Sequence, residues 1–195
     1  LAAGTYQVMT RATDAGGLTV DQAQTVTITA ANIAPTISSS STGSVAENAA
    51  TSTVVYTITA TDPESDTLSY ALTGTDAASF SIDASTGQVK LLTPADFETK
   101  SSYSITVNAK DASNTTTQAV TLNVTDVDEA PSFTSGATGS VAENAATSTV
   151  VYTATATDPE TGTVTYSLSG TDASAFSIGS SPGVVPLNAS ADYET

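Results

Sequence analysis

The chain repeats itself with a period of 96 residues, and this period constrains its fold more than any other feature. Residues 42–57 read TGSVAENAATSTVVYT, and residues 138–153 carry the same sixteen letters. The register continues through ATDPE at 60–64 and at 156–160. Solenoid repeats are roughly 20–45 residues long, whereas a small β-sandwich domain takes about 100. The period therefore predicts one sandwich domain per repeat.

Short runs of alternating apolar residues fill the complete middle copy. The clearest runs are Val54, Tyr56, Ile58 and Ala60; Tyr103, Ile105, Val107 and Ala109; and Val120, Leu122 and Val124. Successive side chains of a strand point to opposite faces, so this alternation predicts strands with one buried face. Seven such strands without a helical pattern predict an all-β fold, built of tandem immunoglobulin-like, antiparallel Greek-key sandwiches in a linear rod.

The repeat also predicts where the domains begin and end. Residues 35–130 make a complete domain, and residues 131–195 supply the N-terminal strands of a following one. Residues 1–34 supply the C-terminal strands of a preceding domain, because YQVMTRATD near the start resembles YSITVNAKD in the middle copy. We expect the two outer parts to be continued in a longer polypeptide, or to be completed by strand complementation between chains.

The composition excludes several classes of function. Twenty acidic residues against four basic ones give a net charge of −16, which excludes nucleic acid or an anionic membrane as the main partner. The chain has no Cys and no His, so zinc and copper sites are excluded and oxygen-ligated cations remain. A nucleophile with a matching base is also missing, which predicts that the chain is not an enzyme. No apolar stretch is long enough to predict membrane insertion.

The acidic residues are concentrated at strand ends instead of being scattered. Five short segments of the middle copy carry them: Ala46-Glu47-Asn48, Asp62-Pro63-Glu64, Asp96-Phe97-Glu98, Ala109-Lys110-Asp111 and Asp126-Val127-Asp128-Glu129-Ala130-Pro131. The two acids of a D-x-E pair lie on the same side of a strand, and antiparallel strands bring such pairs to the poles of a sandwich. Ca²⁺ takes six to eight oxygen ligands in a flexible shell, so this pattern predicts calcium as the cofactor.

The five segments and their order resemble the motifs of cadherin domains, most nearly the cadherin-like repeats of large bacterial surface adhesins or matrix proteins. The family carries an xEN glutamate, a DxD pair, an LDRE-type segment, an AxD aspartate and a DxNDNxP linker. The resemblance implies calcium sites at the junctions between domains. It assigns as metal ligands Glu47, Asp62, Glu64, Asp96, Glu98, Asp111, Asp126, Asp128, Glu143, Asp158, Glu160, Asp192 and Glu194.

Two linkers depart from the family pattern. The linker at 126–131 is one residue shorter, with Asp128 and Glu129 where Asn and Asp are usual. The earlier linker at 30–35 keeps only Asn32, so with Asp62, Glu64 and Asp111 it predicts a weaker site.

The predicted function is that of a calcium-rigidified structural or adhesive segment of an extracellular or cell-surface adhesin, or of a filament in a biofilm matrix. Its predicted partners are neighbouring repeats of the same kind, joined head to tail, together with homophilic or cell-surface partners. The alternative is a carbohydrate-binding sandwich module. That alternative usually needs an aromatic platform, but Trp is absent and the Tyr residues lie at core positions of the strand pattern.

Overall fold

A computed structural model of the chain describes residues 1–192. It is all-β apart from two short 3₁₀ turns, Ala77–Ser79 and Ala173–Ala175, which confirms the predicted fold class. None of its helical segments in this range has the length and apolar character of a membrane span. The contacts divide the chain into two units, one of residues 1–95 with 102–124 and the other of residues 96–101 with the chain from 125 onward.

The first unit is built from eleven strands. They are β1 (Gly4–Thr13), β2 (Thr19–Ile28), β3 (Thr36–Ile37), β4 (Thr42–Ala46), β5 (Val54–Thr57), β6 (Ala60–Thr61), β7 (Ser69–Thr73), β8 (Phe80–Ile82), β9 (Gln88–Leu91), β10 (Ser102–Lys110) and β11 (Thr115–Thr125). One sheet has the order β4-β11-β10-β7, and the facing strands are ordered β5-β9-β8, with β3 paired to β6. Strands β1 and β2 form a separate antiparallel hairpin. The chain thus crosses between sheets, as an immunoglobulin-like sandwich requires.

The core lies between the two sheets and contains most of the predicted alternating residues, but Val54, which was predicted to be buried, is 40% exposed. The six largest fully buried side chains are Ile58, Val89, Ile105, Val107, Val120 and Leu122. Phe80 and Tyr103 add an edge-to-face ring pair with centroids 5.2 Å apart. Burying such a side chain contributes about 1.5–3 kcal/mol, so a small set of Val, Ile and Leu residues can hold this sandwich together.

The run from 54 to 60, predicted as one strand, is divided in the structure. Strand β5 pairs with β9, and β6 pairs with β3 after a two-residue interruption. At the interruption the Ile58 N–H donates to the carbonyl of Gly87 at 2.9 Å, and the Ser38 N–H donates to that of Thr59 at 2.8 Å. In this run the alternation predicts the burial of Tyr56 and Ile58, but neither the exposure of Val54 nor the change of partner strand.

The second unit repeats part of this arrangement. Its strands are β12 (Ser132–Phe133), β13 (Val150–Ala154), β14 (Ala156–Thr157) and β15 (Gly183–Pro186). Strand β12 pairs with β14, and β13 pairs with β15, as β3 pairs with β6 and β5 with β9. Buried Ala154, Val185 and Leu187 form its small core.

Candidate metal centre

Three carboxylates converge in the second unit. Glu98, Asp126 and Glu160 each place a carboxylate oxygen within 4.8 Å of those of the other two. Asp126 directly follows β11, and Glu160 follows β14 within three residues. Carboxylates at this separation repel one another, and a cation bound between them would offset that repulsion. We refer to Glu98, Asp126 and Glu160 as the acidic triad.

Glu160 is the half-buried member of the triad, whereas Glu98 and Asp126 are exposed. Its Oε1 accepts a hydrogen bond from the Glu129 N–H at 3.1 Å, whereas its Oε2 is buried and has no hydrogen-bond partner in the described part of the chain. Burial raises the pKa of the Glu160 carboxyl, and the nearby Asp158 carboxylate raises it further, against backbone hydrogen bonds that lower it. A buried anionic oxygen without a partner is costly, so this oxygen is open to a cation or to the hydrogen of an ordered water.

Asp96 lies beside the triad, with a carboxylate oxygen within 4.8 Å of that of Glu98. Its own side chain accepts hydrogen bonds from the backbone N–H and the hydroxyl of Thr99, both at 2.8 Å. These hydrogen bonds lower the pKa of the Asp96 carboxyl, the backbone one most strongly. Asp96 is therefore ionised at neutral pH, as a hard-cation ligand must be.

The other predicted ligands of the second unit lie outside the triad. Asp158 is half-buried and its Oδ1 accepts the Gly162 N–H at 3.1 Å, while Asp128 is exposed in the linker. Exposed Glu143 and Asp192 line one small surface cavity of about 290 Å³. Glu194 lies outside the described residues.

In the first unit, Glu47 and Asp111 are almost completely buried, with 3% and 4% of their surface exposed. The segment of Glu47 is fixed by a hydrogen bond from the Asn48 N–H to the Ala95 carbonyl at 2.9 Å. The pKa of the Asp111 carboxyl is lowered by hydrogen bonds, first among them that of the Asn114 N–H. Buried charged carboxylates of this kind are uncommon unless they are paired, hydrogen-bonded or bound to a metal.

Glu64 and Asp111 accept hydrogen bonds from amide groups of the preceding segment, whereas Asp62 accepts them from its own segment. The Asn32 side-chain amide donates to Asp111 Oδ2 at 3.0 Å, and the Ile33 N–H donates to Glu64 Oε2 at 3.1 Å. Asp62 Oδ1 accepts the Glu64 N–H at 2.9 Å, and its Oδ2 is buried without a hydrogen-bond partner among residues 1–192. Within the described residues these three acids do not form a close group of three carboxylates.

A backbone contact that sequence reasoning missed occurs in both units. Ile33 and Glu129 are one period apart, and each donates its N–H to the second acid of a D-x-E pair, Glu64 or Glu160. The repeat register could have suggested that the two contacts are equivalent. It could not have supplied the contact, because a backbone donor has no signature in the sequence.

Comparison with known proteins finds a family match in the middle of the chain. The family model described as the cadherin domain matches residues 41–125. Cadherin-related family member 2 of Mus musculus is 36% identical over 111 residues, which cover 56% of this chain and 8% of that protein. Cadherin-23 of Homo sapiens is 31% identical over 157 residues, which cover 77% of this chain and 5% of that protein. The chain thus spans less than a tenth of the length of these relatives.

The solved structures agree with the fold. The crystal structure of human protocadherin-24 EC1-2, form II, superposes with a TM-score of 0.65 at 25% identity, covering 84% of this chain and 81% of that one. The relatives described here are animal proteins, so they do not support the bacterial kinship that the motifs suggested.

Proposed function

The chain contains a cadherin domain at residues 41–125, and from this premise we propose that it is a calcium-stiffened repeat segment of a long extracellular adhesion protein. The observation that carries the proposal is the acidic triad, in which the buried Glu160 Oε2 has no hydrogen-bond partner among the described residues. Hydrogen bonding within the protein satisfies one oxygen of Glu160 and leaves the other for a cation.

The presence of a cadherin domain confirms two predictions made from the sequence. Cadherin domains are adhesion modules, not enzymes. The related proteins are extracellular or at the cell surface, which confirms the predicted location.

Glu98, Asp126 and Glu160 would hold the ion, with Asp96 beside them. The resemblance adds Glu47, Asp128 and Asp158 to the same ligand set. Calcium would supply the positive charge that cancels the repulsion among these carboxylates, and this chain's residues supply the oxygens and their orientation. The triad residues are far apart in the sequence, and in the predicted domain scheme Glu98 and Asp126 belong to one repeat and Glu160 to the next. Binding would therefore restrict the segment that links two repeats.

Asp62, Glu64 and Asp111 are proposed as a weaker site. Asp111 and Glu64 already accept hydrogen bonds from Asn32 and Ile33, which replace part of the charge compensation that an ion would give. Glu143, Asp192 and Glu194 are proposed as ligands of a further copy of the site, as the repeat register predicts.

Near-identical repeats favour a spacer that joins neighbouring repeats head to tail, because an adhesive surface does not need to be copied. Membership of a bacterial adhesin, filament or biofilm matrix rests on the motifs alone. The carbohydrate-binding alternative gains no support from a cadherin domain.

Calorimetric titration with calcium and thermal unfolding in calcium or chelator test the proposal. Calcium at about 100 times its dissociation constant should stabilise the protein by about 2.7 kcal/mol, which raises the melting temperature by roughly 5–10 °C. The Asp96→Ala, Glu98→Ala double variant should bind fewer ions, and the Asp21→Asn variant, which removes an exposed carboxylate of the hairpin, should bind as many as the parent. Equal ion counts in all three proteins, or equal melting in calcium and chelator, would contradict the proposal.

A further inference from the structure

Two polar residues interrupt the core-facing side of β11. Val120 and the second and fourth residues after it are apolar and buried, whereas Gln118 and Thr116 precede it in the same register and are half-buried. Their paired residues on β10, Val107 and Ala109, are completely buried. A polar side chain at a core-facing position is costly unless it is hydrogen-bonded, so both residues need a partner.

The partners are backbone carbonyls of the segment that enters the domain, residues 35–41. The Thr116 hydroxyl donates to the Pro35 carbonyl at 2.5 Å. The Gln118 side-chain amide donates to the Ser39 carbonyl at 3.0 Å. Side chains of the last strand therefore tie the entering segment to the sheet before β4 begins.

The entering segment runs in the same direction as β11. A third hydrogen bond joins the Thr121 N–H to the Ser41 carbonyl at 3.0 Å, and β4 then continues beside β11. In the three bonds both partners advance along the chain together: Pro35 with Thr116, Ser39 with Gln118, and Ser41 with Thr121. At about 3.3 Å per residue the bonds are spread over roughly 20 Å. The chain therefore enters the domain where β11 begins and leaves it where β11 ends.

This arrangement decides how tension acts on the domain. A pull on the linkers at 30–35 and 126–131 draws the entering segment and β11 past each other, because the two run parallel and are pulled at opposite ends. The three hydrogen bonds lie across the direction of the pull, so they are loaded together and not one after another. Resistance to forced unfolding is a matter of the unfolding rate, and bonds that must break together slow that rate most.

We propose that Thr116 and Gln118 form a mechanical clamp, which holds the entering segment against β11 when the domain is pulled by its two linkers. The clamp resists tension without an ion, so it is independent of the calcium sites proposed above. It accounts for two polar side chains at positions where apolar ones would extend the core. Within the same segment β3 pairs with β6 of the facing sheet, so the sandwich remains folded when the clamp is removed.

Single-molecule pulling in two directions tests the clamp. The chain has no Cys, so handles can be attached to introduced thiols, and chelator throughout removes any contribution of calcium. Ala31→Cys with Val127→Cys pulls the linkers apart along β11. Ala31→Cys with Ala112→Cys pulls at one pole, where the Asn32 amide is bonded to Asp111, and breaks the clamp one bond at a time. The parent should unfold at a higher force in the first direction.

Thr116→Val with Gln118→Met keeps the shape of both side chains and removes both donors. Pulled by the linkers, this variant should unfold at least about tenfold faster than the parent at the same force, with a smaller factor in the one-pole direction. Asn108→Leu is the control, since its amide donates to the Ala71 carbonyl at 3.3 Å between β10 and β7, away from both linkers, and it should unfold like the parent.

Three results would overturn the proposal. The first is a parent that unfolds at the same force in both directions, which is decided without any clamp variant. The second is a double variant that unfolds like the parent when pulled by the linkers. The third is a double variant that unfolds faster by the same factor in both directions, because the two side chains would then stabilise the fold without resisting tension.

Discussion

Glu64 and Glu160 occupy the same position of the repeat and accept the same backbone hydrogen bond, but their surroundings differ. Glu64 is exposed, whereas Glu160 is half-buried beside Glu98 and Asp126. The difference begins in the linkers, because Asp126 stands one period after Ala30. Replacing an alanine by an aspartate adds the carboxylate that turns a hydrogen-bonded pair into an anionic cluster. If calcium binds as proposed, the two copies should therefore bind it with unequal strength.

Glu160→Gln should weaken calcium binding at the triad at least about tenfold, because an uncharged amide replaces a charged ligand and loses more than about 1.4 kcal/mol of binding. In chelator the same variant should melt no lower than the parent, since it removes a carboxylate from a repulsive cluster. Calorimetric titration and thermal unfolding measure the two effects. A variant that binds calcium like the parent would show that Glu160 is not a ligand.

Among the elements, the β8–β9 hairpin shows how turn chemistry positions a sheet. Asp83 Oδ1 accepts the N–H groups of Ser85 and Thr86 at 2.8 and 3.0 Å, and the Gly87 N–H donates to the Asp83 carbonyl at 2.9 Å. Gly87 has φ +69° and lies against Ile58. This turn fixes β9 between β5 and β8 at the point where the chain leaves β5 for β6.

Gly87→Ala should destabilise the first unit by about 1–3 kcal/mol. An added Cβ would lie 2.5 Å from the Ile58 carbonyl oxygen, in a backbone conformation that side chains rarely adopt. Urea unfolding measures the loss. Gly136→Ala is the control, because its Cβ would meet nothing within 4 Å, and it should change stability little. Equal stability of the two variants would contradict this account of the turn.

Asp83→Ala should lower the melting temperature by about 2–4 °C at pH 7, since two backbone N–H groups lose their acceptor. These hydrogen bonds, that of Thr86 first, lower the pKa of Asp83 below its usual value of 3.8. A lowered folded-state pKa gives stability that is present above 3.8 and lost as the pH falls through the folded-state value. The difference in melting temperature between variant and parent should therefore be constant above pH 3.8 and shrink as the pH falls below it. A difference that is constant down to pH 2 would argue against this role.

For the whole molecule, the repeat and the alternation predicted the sandwich and its core, since burial in a sheet follows a period of two that the sequence displays. The clustering of acidic residues at strand ends pointed to the three triad residues. The change of partner strand between β5 and β6 could not be predicted, because the alternation of apolar residues continues through it. Nor could the sequence show that residues 138–142 and 165–169 lack strand structure, because they repeat strand-forming segments. A strand needs a hydrogen-bonded neighbour, and that requirement belongs to the tertiary structure.

Calcium should protect the segment between β11 and β12 from proteolysis. Asp126 belongs to the triad, and the Glu129 N–H donates a hydrogen bond to Glu160. Because a bound ion would cancel the repulsion among the triad carboxylates, it should lower the fraction of time in which this segment is locally unfolded. A protease that cleaves after Glu and Asp should cut after Glu129 about tenfold more slowly in calcium than in chelator. Cleavage after Asp21, in the exposed hairpin, should proceed at one rate in both conditions and so reports any effect of calcium on the protease. In the Glu160→Gln variant the rate after Glu129 should no longer depend on calcium. Protection that persists in this variant would mean that calcium acts on the segment through residues other than the triad.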